Sequence, residues 1–208
     1  MSALRKTTSA ALLALALAPF AALAQQRRPM SPRGTAHAHV GGKWESGRYS
    51  GGSWIEVDYG RPIKRGRESL FGSGAEYGKK LKDEGALWRM GANETTRLKT
   101  EVALEIGGKK LAPGEYDLFM DLKEGAWTLV VSTQPYQTSY DPSEKAKVWG
   151  AYNYDAKYDV VKAPMRVVKS PHSIDQLTIG FLDVTDKGGK LAVAWDREVA
   201  TVDFKVAP

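Results

Sequence analysis

The sequence predicts an all-β protein, an antiparallel β-sandwich or Greek-key barrel with at most one or two short helices. Apolar and polar residues alternate along several short segments, turn residues separate these segments, and only residues 75–83 have a helical pattern. The side chains of a strand point alternately to its two faces, whereas a helix buries every third or fourth residue. Many short strands with frequent turn signals are typical of sandwiches and barrels.

The clearest strands are predicted over residues 98–106 and 115–122. Apolar residues, with Thr100 among them, occupy every second position in both segments, and charged residues such as Lys99 and Asp117 lie on the opposite face. The glycines and proline between the segments supply turn geometry, so a hairpin is expected. Further strands are expected at 55–59, 127–131, 177–181, 191–195 and 202–206, with reversals at 187–190 and 195–199.

The first 24 residues have the three-part form of a secretory signal. Arg5 and Lys6 precede an apolar run from Ala10 to Ala24 that ends in a small-x-small site. A transmembrane helix needs about 20 apolar residues, so this run is too short to be an anchor, and no later stretch is long enough. The sequence therefore predicts cleavage after Ala24, no transmembrane segment, and export to the periplasm or the extracellular space.

The amino-acid composition predicts how the rest of the chain is organised. Residues 25–52 are rich in Gly and Pro, which favours a flexible leader, with pairing of part of it as an edge strand as the alternative. Residues 53–208 are predicted to form one β-sandwich domain. The chain has no Cys, which excludes disulfides and thiol catalysis. A net charge of +6 spread over both signs favours a solvated surface, and no nucleic-acid partner is expected.

Two irregular regions interrupt the strand pattern, and scaffolds usually carry their sites on such loops. The first contains Asp-Tyr-Gly-Arg-Pro at 58–62 and Trp-Arg-Met-Gly-Ala-Asn-Glu at 88–94, and the second is an aromatic loop at 134–158. With Pro-Gly-Glu-Tyr at 113–116, these motifs make the chain resemble the bacterial domain-of-unknown-function family 2911 over about residues 50–206. The resemblance implies an exported β-rich protein with no established activity.

The candidate ligand-binding residues come from these two regions. They are Asp58, Arg61, Arg67, Trp88, Arg89, Asn93, Glu94, Trp149, Tyr152 and Tyr154. In one interpretation the guanidinium groups form a pocket for a carboxylate, phosphate or sugar-acid group. In the other they clamp the loops by binding carboxylates and backbone carbonyls, because Arg supplies five donors in a fixed fork.

The aromatic loop also admits two interpretations. Trp149, Tyr152 and Tyr154 form either a stacking platform for sugar rings or the packing that closes the open end of a sandwich. His37 and His39 are separated by one residue, so on a strand both would lie on one face and could share a metal; chance spacing is the alternative. No metal site and no cofactor are expected.

Catalysis is the less favoured function. Glu94 and Asp58 could serve as the paired carboxylates of a glycoside hydrolase. Carboxylates flanked by Arg remain ionised, however, which suits an ion pair better than a general acid. The sequence therefore predicts an exported, non-catalytic module that binds an anionic or glycan ligand or has a structural role in the envelope. The alternative is a hydrolase that acts on an envelope glycan or ester through Glu94 and Asp58.

Overall fold

The computed structural model describes residues 29–82 and 85–207, which form ten strands, one short α-helix and two 3₁₀ turns. The strands are β1 (Arg33–Glu45), β2 (Arg48–Gly60), β3 (Thr96–Thr100), β4 (Leu104–Ile106), β5 (Lys109–Leu111), β6 (Gly114–Asp121), β7 (Thr128–Ser132), β8 (Asp159–Pro164), β9 (Arg166–Thr185) and β10 (Gly188–Val206). Helix α1 is Lys79–Lys82, and the 3₁₀ turns are Gly74–Glu76 and Ala156–Tyr158. The predicted signal sequence lies outside the described residues.

The strands form two antiparallel sheets that pack as a β-sandwich. The six-stranded sheet has the order β1-β2-β3-β6-β7-β8, and the four-stranded sheet has the order β5-β4-β10-β9. Alternate residues of each strand enter the core between them: in β2, Ile55 and Val57 are buried, whereas Glu56 and Asp58 lie on the outer face. The prediction of an all-β protein is confirmed, in the sandwich form.

The segment predicted as a single strand at 98–106 is divided between the two sheets. β3 pairs with β2 and β6, whereas β4 pairs with β5 and β10. The chain crosses between the sheets at residues 101–103, where the Thr100 hydroxyl donates to the Val102 carbonyl (2.6 Å). Both strands face the same core, so the apolar alternation continues through the crossing and does not reveal the break.

Two smaller predictions also differ from the structure. The chain does not reverse at 195–199, because β10 continues to Val206 and only its register with β9 shifts, around Asp196, whose φ is +51°. An extra residue in one strand bends a ladder without ending it. The helix predicted at 75–83 is a 3₁₀ turn followed by the four residues of α1.

Residues 33–52 form an ordered hairpin where the sequence favoured a flexible leader. β1 is the edge strand of the six-stranded sheet and pairs with β2 from Arg33↔Gly60 to Glu45↔Arg48. Gly41, Gly51 and Gly52 have positive φ within this hairpin. The glycines that suggested flexibility therefore supply bends in a long ribbon, which is the edge-strand alternative.

The excursion from β2 to β3, residues 61–95, is attached to the sandwich through Trp88. The backbone N–H of Trp88 donates to the carbonyl of Met120 (2.9 Å), and the N–H of Met120 donates back (2.8 Å), so Trp88 extends the sheet beside β6. Its side chain is 1% exposed and stacks on Trp195 of the opposite sheet, with ring centroids 6.0 Å apart. Phe71 and Trp127 pack against the same pair.

The two motifs that carry the family resemblance are in direct contact. A Cβ atom added at Gly60, in the first motif, would lie 2.0 Å from the carbonyl oxygen of Ala92, in the second. Thr96, at the start of β3, donates its hydroxyl hydrogen to the carbonyl of Met90 (3.3 Å). The loop at 90–95 therefore lies tightly against the end of β2, and this contact needs a glycine at position 60.

We predict that Gly60→Ala lowers the free energy of unfolding by about 2–3 kcal/mol, because the new methyl group collides with backbone that has little room to move. Gly180→Ala in β9 is the matched control, since a Cβ there meets no atom within 4 Å. Its stability should be unchanged or slightly higher. Urea unfolding followed by Trp fluorescence measures both, and equal stability of the two variants would contradict the close packing.

Candidate functional site

A cavity of about 420 Å³ lies between the loop that follows β2 and the loop around Trp88. We call it the basic cavity, and it is lined in part by Arg65, Arg67, Lys80, Trp88, Arg89 and Trp195. Two of these residues, Arg67 and Arg89, come from the separate loops whose guanidinium groups were predicted to meet. Among residues 29–82 and 85–207, no carboxylate lines the cavity. Arg65, Arg67 and Lys80 place positive charge in this lining, which favours an anionic group there.

Arg67 is fixed at the rim of the basic cavity by its own loop. Its Nε donates to the carbonyl of Lys64 (3.0 Å) and its Nη2 donates to the carbonyl of Ile63 (3.0 Å). Its guanidinium carbon lies 5.5 Å from the ring centroid of Trp195. Carbonyl acceptors orient a guanidinium without neutralising it, so the positive charge of Arg67 is held in a defined position facing the cavity.

Arg89 links the basic cavity to the aromatic loop. Its Nη1 donates to the carbonyl of Asn93 (3.0 Å), and its guanidinium carbon lies 5.9 Å from the ring centroid of Tyr152. A Cβ at Gly150 would lie 2.5 Å from this same Nη1. The Trp-Gly pair at 149–150 thus leaves the space that Arg89 occupies.

Arg61 and Asn93, which were also predicted as ligand-binding residues, make contacts outside the basic cavity. Arg61 packs over Gly34, where a Cβ would lie 2.0 Å from the Arg61 Cδ, and its Nε donates to the carbonyl of Leu177 (3.5 Å). Asn93 donates from Nδ2 to the carbonyl of Ser31 (3.4 Å). Arg61 therefore joins β2 to β9, as the clamp interpretation describes.

Asp58 and Glu94 lie in a second depression, on the outer face of the six-stranded sheet. We call it the polar groove. Its volume is about 350 Å³, and it is lined in part by Arg33, Glu56, Asp58, Glu94, Thr95, Arg97, Lys99, Glu115 and Tyr136. Arg33 lies 3.1 Å from the Glu94 carboxylate, and the Thr35 hydroxyl donates to Asp58 (2.6 Å). The two predicted carboxylates thus share a groove, separate from Arg67 and Arg89.

The register of the sheet explains why charges alternate along the polar groove. Arg97 pairs with Asp58 on one side and with Asp117 on the other. In the next row, Lys99 pairs with Glu56 and with Glu115. Opposite charges on adjacent strands attract across the ladder, so these two rows stabilise the pairing of β2, β3 and β6.

Asp117 is a buried acid on this face of the sheet. Its side chain is fully buried, and Oδ1 accepts a hydrogen bond from Arg97 Nη1 (2.8 Å). Burial raises the pKa of the Asp117 carboxyl to about 7 and outweighs the opposite effect of Arg97. Oδ2 has no hydrogen-bond partner within the described part of the chain. Asp117 therefore changes its charge near neutral pH while in contact with Arg97.

The aromatic loop covers part of the same outer face. Phe119 and Val130 point away from the main core and pack with Leu87, Val148 and Ala151 in a separate apolar cluster. Tyr154 lies against Phe119, with ring centroids 5.0 Å apart, and donates its hydroxyl hydrogen to Asp159 (2.6 Å). Burial raises the pKa of the Tyr154 hydroxyl. Tyr154 therefore packs against the apolar cluster on this face of the sheet.

Trp149 and Tyr152 lie at a tight turn of the aromatic loop. Their backbones are joined by two hydrogen bonds (3.2 and 2.8 Å), and Trp149 is half-buried beside Tyr140. Tyr152 is partly exposed under Arg89. The three predicted platform residues therefore have different surroundings: Tyr154 packs on Phe119, Trp149 lies beside Tyr140, and Tyr152 lies under Arg89.

Several residues in and around these depressions are not among the candidates predicted from the sequence. Arg65 and Lys80 line the basic cavity, whereas Arg97, Lys99, Tyr136 and Gln137 line the polar groove. Asp117 contacts Arg97 of that groove, and Trp54 lines a neighbouring depression. The buried amides of Gln134 and Gln137 bind carbonyls of the aromatic loop. The polar faces of 98–106 and 115–122 were visible in the sequence. Pairing these faces across the predicted hairpin would have placed Lys99 opposite Glu115.

His37 and His39 lie on the outer face of β1, but their contacts are those of an aromatic surface. His37 pairs with Glu56 (3.0 Å), and the His39 ring packs against Tyr49 and Trp54. In residues 29–82 and 85–207, no group of three or more His, Cys, Asp or Glu side chains could hold a metal ion. Within the same residues, no helix has the length and apolar character that a membrane crossing requires.

The protein is thus an antiparallel β-sandwich that carries two depressions. The basic cavity lies at the loops after β2 and before β3, and the polar groove lies on the larger sheet. The sequence matches the family described as "Protein of unknown function (DUF2911)" over residues 43–204, and the chain belongs to that family. No curated protein and no solved structure matches the chain.

We predict that Asp117 makes stability depend on pH. Its pKa is about 7 in the folded protein and 3.8 as the ordinary value, so between these limits the folded state keeps a proton that the unfolded state has lost. The free energy of unfolding should therefore fall as pH rises from about 4 to about 7, by about 4 kcal/mol, since one pKa unit corresponds to about 1.4 kcal/mol. Asp117→Asn should remove this component.

Urea unfolding at pH 4.5, 6 and 8 measures the effect. Asp203→Asn is the matched control, because Asp203 is exposed on β10 and should leave the slope unchanged. An Asp117→Asn variant with the same pH dependence as the original chain would contradict the assignment.

Proposed function

We propose that the protein is a non-catalytic module that binds a small ligand carrying a carboxylate or phosphate group in the basic cavity. The observation that carries this proposal is that Arg67 and Arg89, from loops on either side of α1, line one cavity. Met30, which is 67% exposed, gives that cavity an apolar side, and the buried rings of Trp88 and Trp195 lie behind its lining. A cavity with a few charged donors and an apolar wall is the usual form of a small-molecule site.

The contacts of Arg67 leave it able to bind an anionic ligand while it holds its own loop. Its two contacts with backbone carbonyls leave its charge unneutralised, because a carbonyl carries no formal charge. Arg65 and Lys80 add two further cations to the lining. A guanidinium already held in position loses less conformational entropy on binding than a free side chain, which favours affinity.

The hydrolase alternative is favoured by one observation, that Asp58 and Glu94 both line the polar groove. The Glu94 carboxylate is engaged by Arg33, and Asp58 accepts a hydrogen bond from Thr35. Carboxylates with such partners are better suited to positioning than to proton transfer. We therefore place binding before catalysis, and release of reducing ends from polysaccharides, lost in Glu94→Gln, would reverse that order.

Export remains part of the proposal. The charged start, the apolar run and the Ala22-Leu23-Ala24 site support a secretory signal. A periplasmic or extracellular protein meets carboxylated and phosphorylated envelope components, which are ligands of the class that the basic cavity fits.

We predict that Arg67→Ala lowers the affinity for an anionic probe about tenfold or more, because a hydrogen bond to a charged group contributes about 1.5–3 kcal/mol. Isothermal titration calorimetry with inorganic phosphate and with glucuronate measures the affinity, which should also weaken as salt is added. Arg197→Ala is the matched control, since Arg197 also donates to a backbone carbonyl, that of Pro171 (2.7 Å), but does not line the basic cavity.

Thermal unfolding separates binding from clamping. The binding proposal requires that Arg67→Ala keep a melting temperature close to that of Arg197→Ala. A large loss of stability in Arg67→Ala, with neither phosphate nor glucuronate bound by the original chain, would assign Arg67 to the clamp.

We predict that the secreted protein begins at Gln25. Expression of the full chain in a bacterium with a secretion pathway, followed by intact-mass spectrometry of the periplasmic and extracellular fractions, measures the mature terminus. Replacing Ala24 by a bulky residue should block cleavage, because signal sites require small side chains. Recovery of the uncleaved chain in the cytoplasm alone would contradict export.

A further inference from the structure

Five rings form a continuous row on the outer face of the β1–β2 hairpin. We call this row the aromatic stripe, and its members are His37, His39, Trp44, Tyr49 and Trp54. Successive ring centroids are close: Trp44 to Tyr49 5.4 Å, Tyr49 to His39 5.0 Å, His39 to Trp54 4.4 Å and Trp54 to His37 6.0 Å. These four distances together limit the length of the stripe, from Trp44 to His37, to about 21 Å.

Glycines give the stripe its contact with the hairpin backbone. A Cβ at Gly42 would lie 2.4 Å from the Tyr49 ring, and a Cβ at Gly52 would lie 2.7 Å from His39 Cε1. The Tyr49 hydroxyl also accepts a hydrogen bond from the backbone N–H of Gly42 (3.1 Å). The rings of Tyr49 and His39 are thus held directly against the strands, so the stripe is a fixed surface.

The two tryptophans of the stripe are exposed to solvent. Trp44 is 74% exposed near the tip of the hairpin, and Trp54 is 50% exposed in its middle. In contrast, Trp88, Trp127 and Trp195 are almost completely buried in the core. Exposed rings arranged in a row on a rigid support are a surface suited to stacking against a ligand.

The stripe leads directly into the polar groove. His37 and Trp54 line a depression of about 490 Å³ together with Glu56, Lys99 and Glu101. Glu56 and Lys99 also line the polar groove, which continues to Tyr136, itself 36% exposed. Stripe and groove therefore form one open track across the outer face of the six-stranded sheet, with rings at both ends.

The charges of the track fit a neutral ligand rich in hydroxyl groups. Glu101 lines the adjoining depression, and three cations and four carboxylates line the polar groove, so the track has no excess of positive charge that would attract an anion; the groove residues are Arg33, Arg97, Lys99, Glu56, Asp58, Glu94 and Glu115. Carboxylate and guanidinium groups can bind two neighbouring hydroxyls at once. Thr95, which lines the groove, has a buried hydroxyl oxygen without a hydrogen-bond partner in the described part of the chain.

We infer that this track binds a neutral polysaccharide chain, with sugar rings stacked on Trp44 and Trp54 and their hydroxyls bound in the polar groove. An extended polymer matches a long, open track better than a small molecule does. A lipid surface is a poorer match, because binding to anionic membranes requires a cationic patch. This site is separate from the basic cavity and does not depend on ligand binding there.

Affinity electrophoresis tests the inference with named probes. Native gels contain xylan, glucomannan, pullulan or hydroxyethyl cellulose, and insoluble chitin and cellulose are tested by co-sedimentation. We expect retardation or co-sedimentation with at least one of these polymers, and an at least tenfold weaker effect for Trp44→Ala and for Trp54→Ala. High salt should change little, since the interaction is not ionic.

Two controls separate the track from the rest of the surface. Tyr140→Ala removes a ring that is 57% exposed outside the stripe, and it should bind as the original chain does. Arg67→Ala tests the basic cavity and should also leave polysaccharide binding intact. Circular dichroism melts verify that each variant is folded, and the high exposure of Trp44 makes its removal harmless to the core.

Several results would overturn the inference. One is the absence of binding to every polymer tested, and another is unchanged binding by both tryptophan variants. A third is co-sedimentation with vesicles of phosphatidylglycerol and phosphatidylethanolamine in place of the polysaccharides, which would assign the stripe to a membrane surface. Loss of binding in Arg67→Ala together with retention in Trp44→Ala and Trp54→Ala would place the glycan in the basic cavity.

Discussion

The attachment of Trp88 is the contact on which the rest of the structure depends. Two backbone hydrogen bonds with Met120 place Trp88 beside β6, and its indole stacks on Trp195 of the other sheet. The same two hydrogen bonds fix where the excursion from β2 to β3 runs. One short bridge therefore joins the two sheets, buries an aromatic cluster and determines the position of Arg89, the next residue along the chain.

The bridge also separates the two depressions. Trp88 is directed into the core and contributes to the wall of the basic cavity, and after it the chain turns at Met90 to Asn93 so that Glu94 reaches the outer face. Met90 and Asn93 both have positive φ, which marks this sharp turn. Residues that are neighbours in the Trp-Arg-Met-Gly-Ala-Asn-Glu motif thus serve different surfaces: Arg89 lines the basic cavity and Glu94 lines the polar groove.

Most of the strands could be predicted from period-two alternation, because burial of one face leaves that pattern wherever a strand borders the core. The break between β3 and β4 could not, since both strands border the same core from opposite sheets. The candidate site was predicted in part. The sequence identified Arg67 and Arg89, which share a cavity, and Asp58 and Glu94, which share a groove, but it combined the two pairs in one place. The hydrogen bonds of Trp88 with Met120 and the contact of Gly60 with Ala92 show how the loops are arranged, and neither can be read from the sequence.

The sequence by itself determined the fold class, the family and the residue types with chemical potential, because these follow from local alternation and from the motifs themselves. The tertiary structure decided which charges meet, since Arg97 contacts Asp117 and Tyr136 only through strand pairing and loop packing. It also decided that the glycine-rich segment before Trp54 is a hairpin with an exposed row of rings. Glycine permits both a flexible chain and close contact with an aromatic ring, and only the position of that ring distinguishes them.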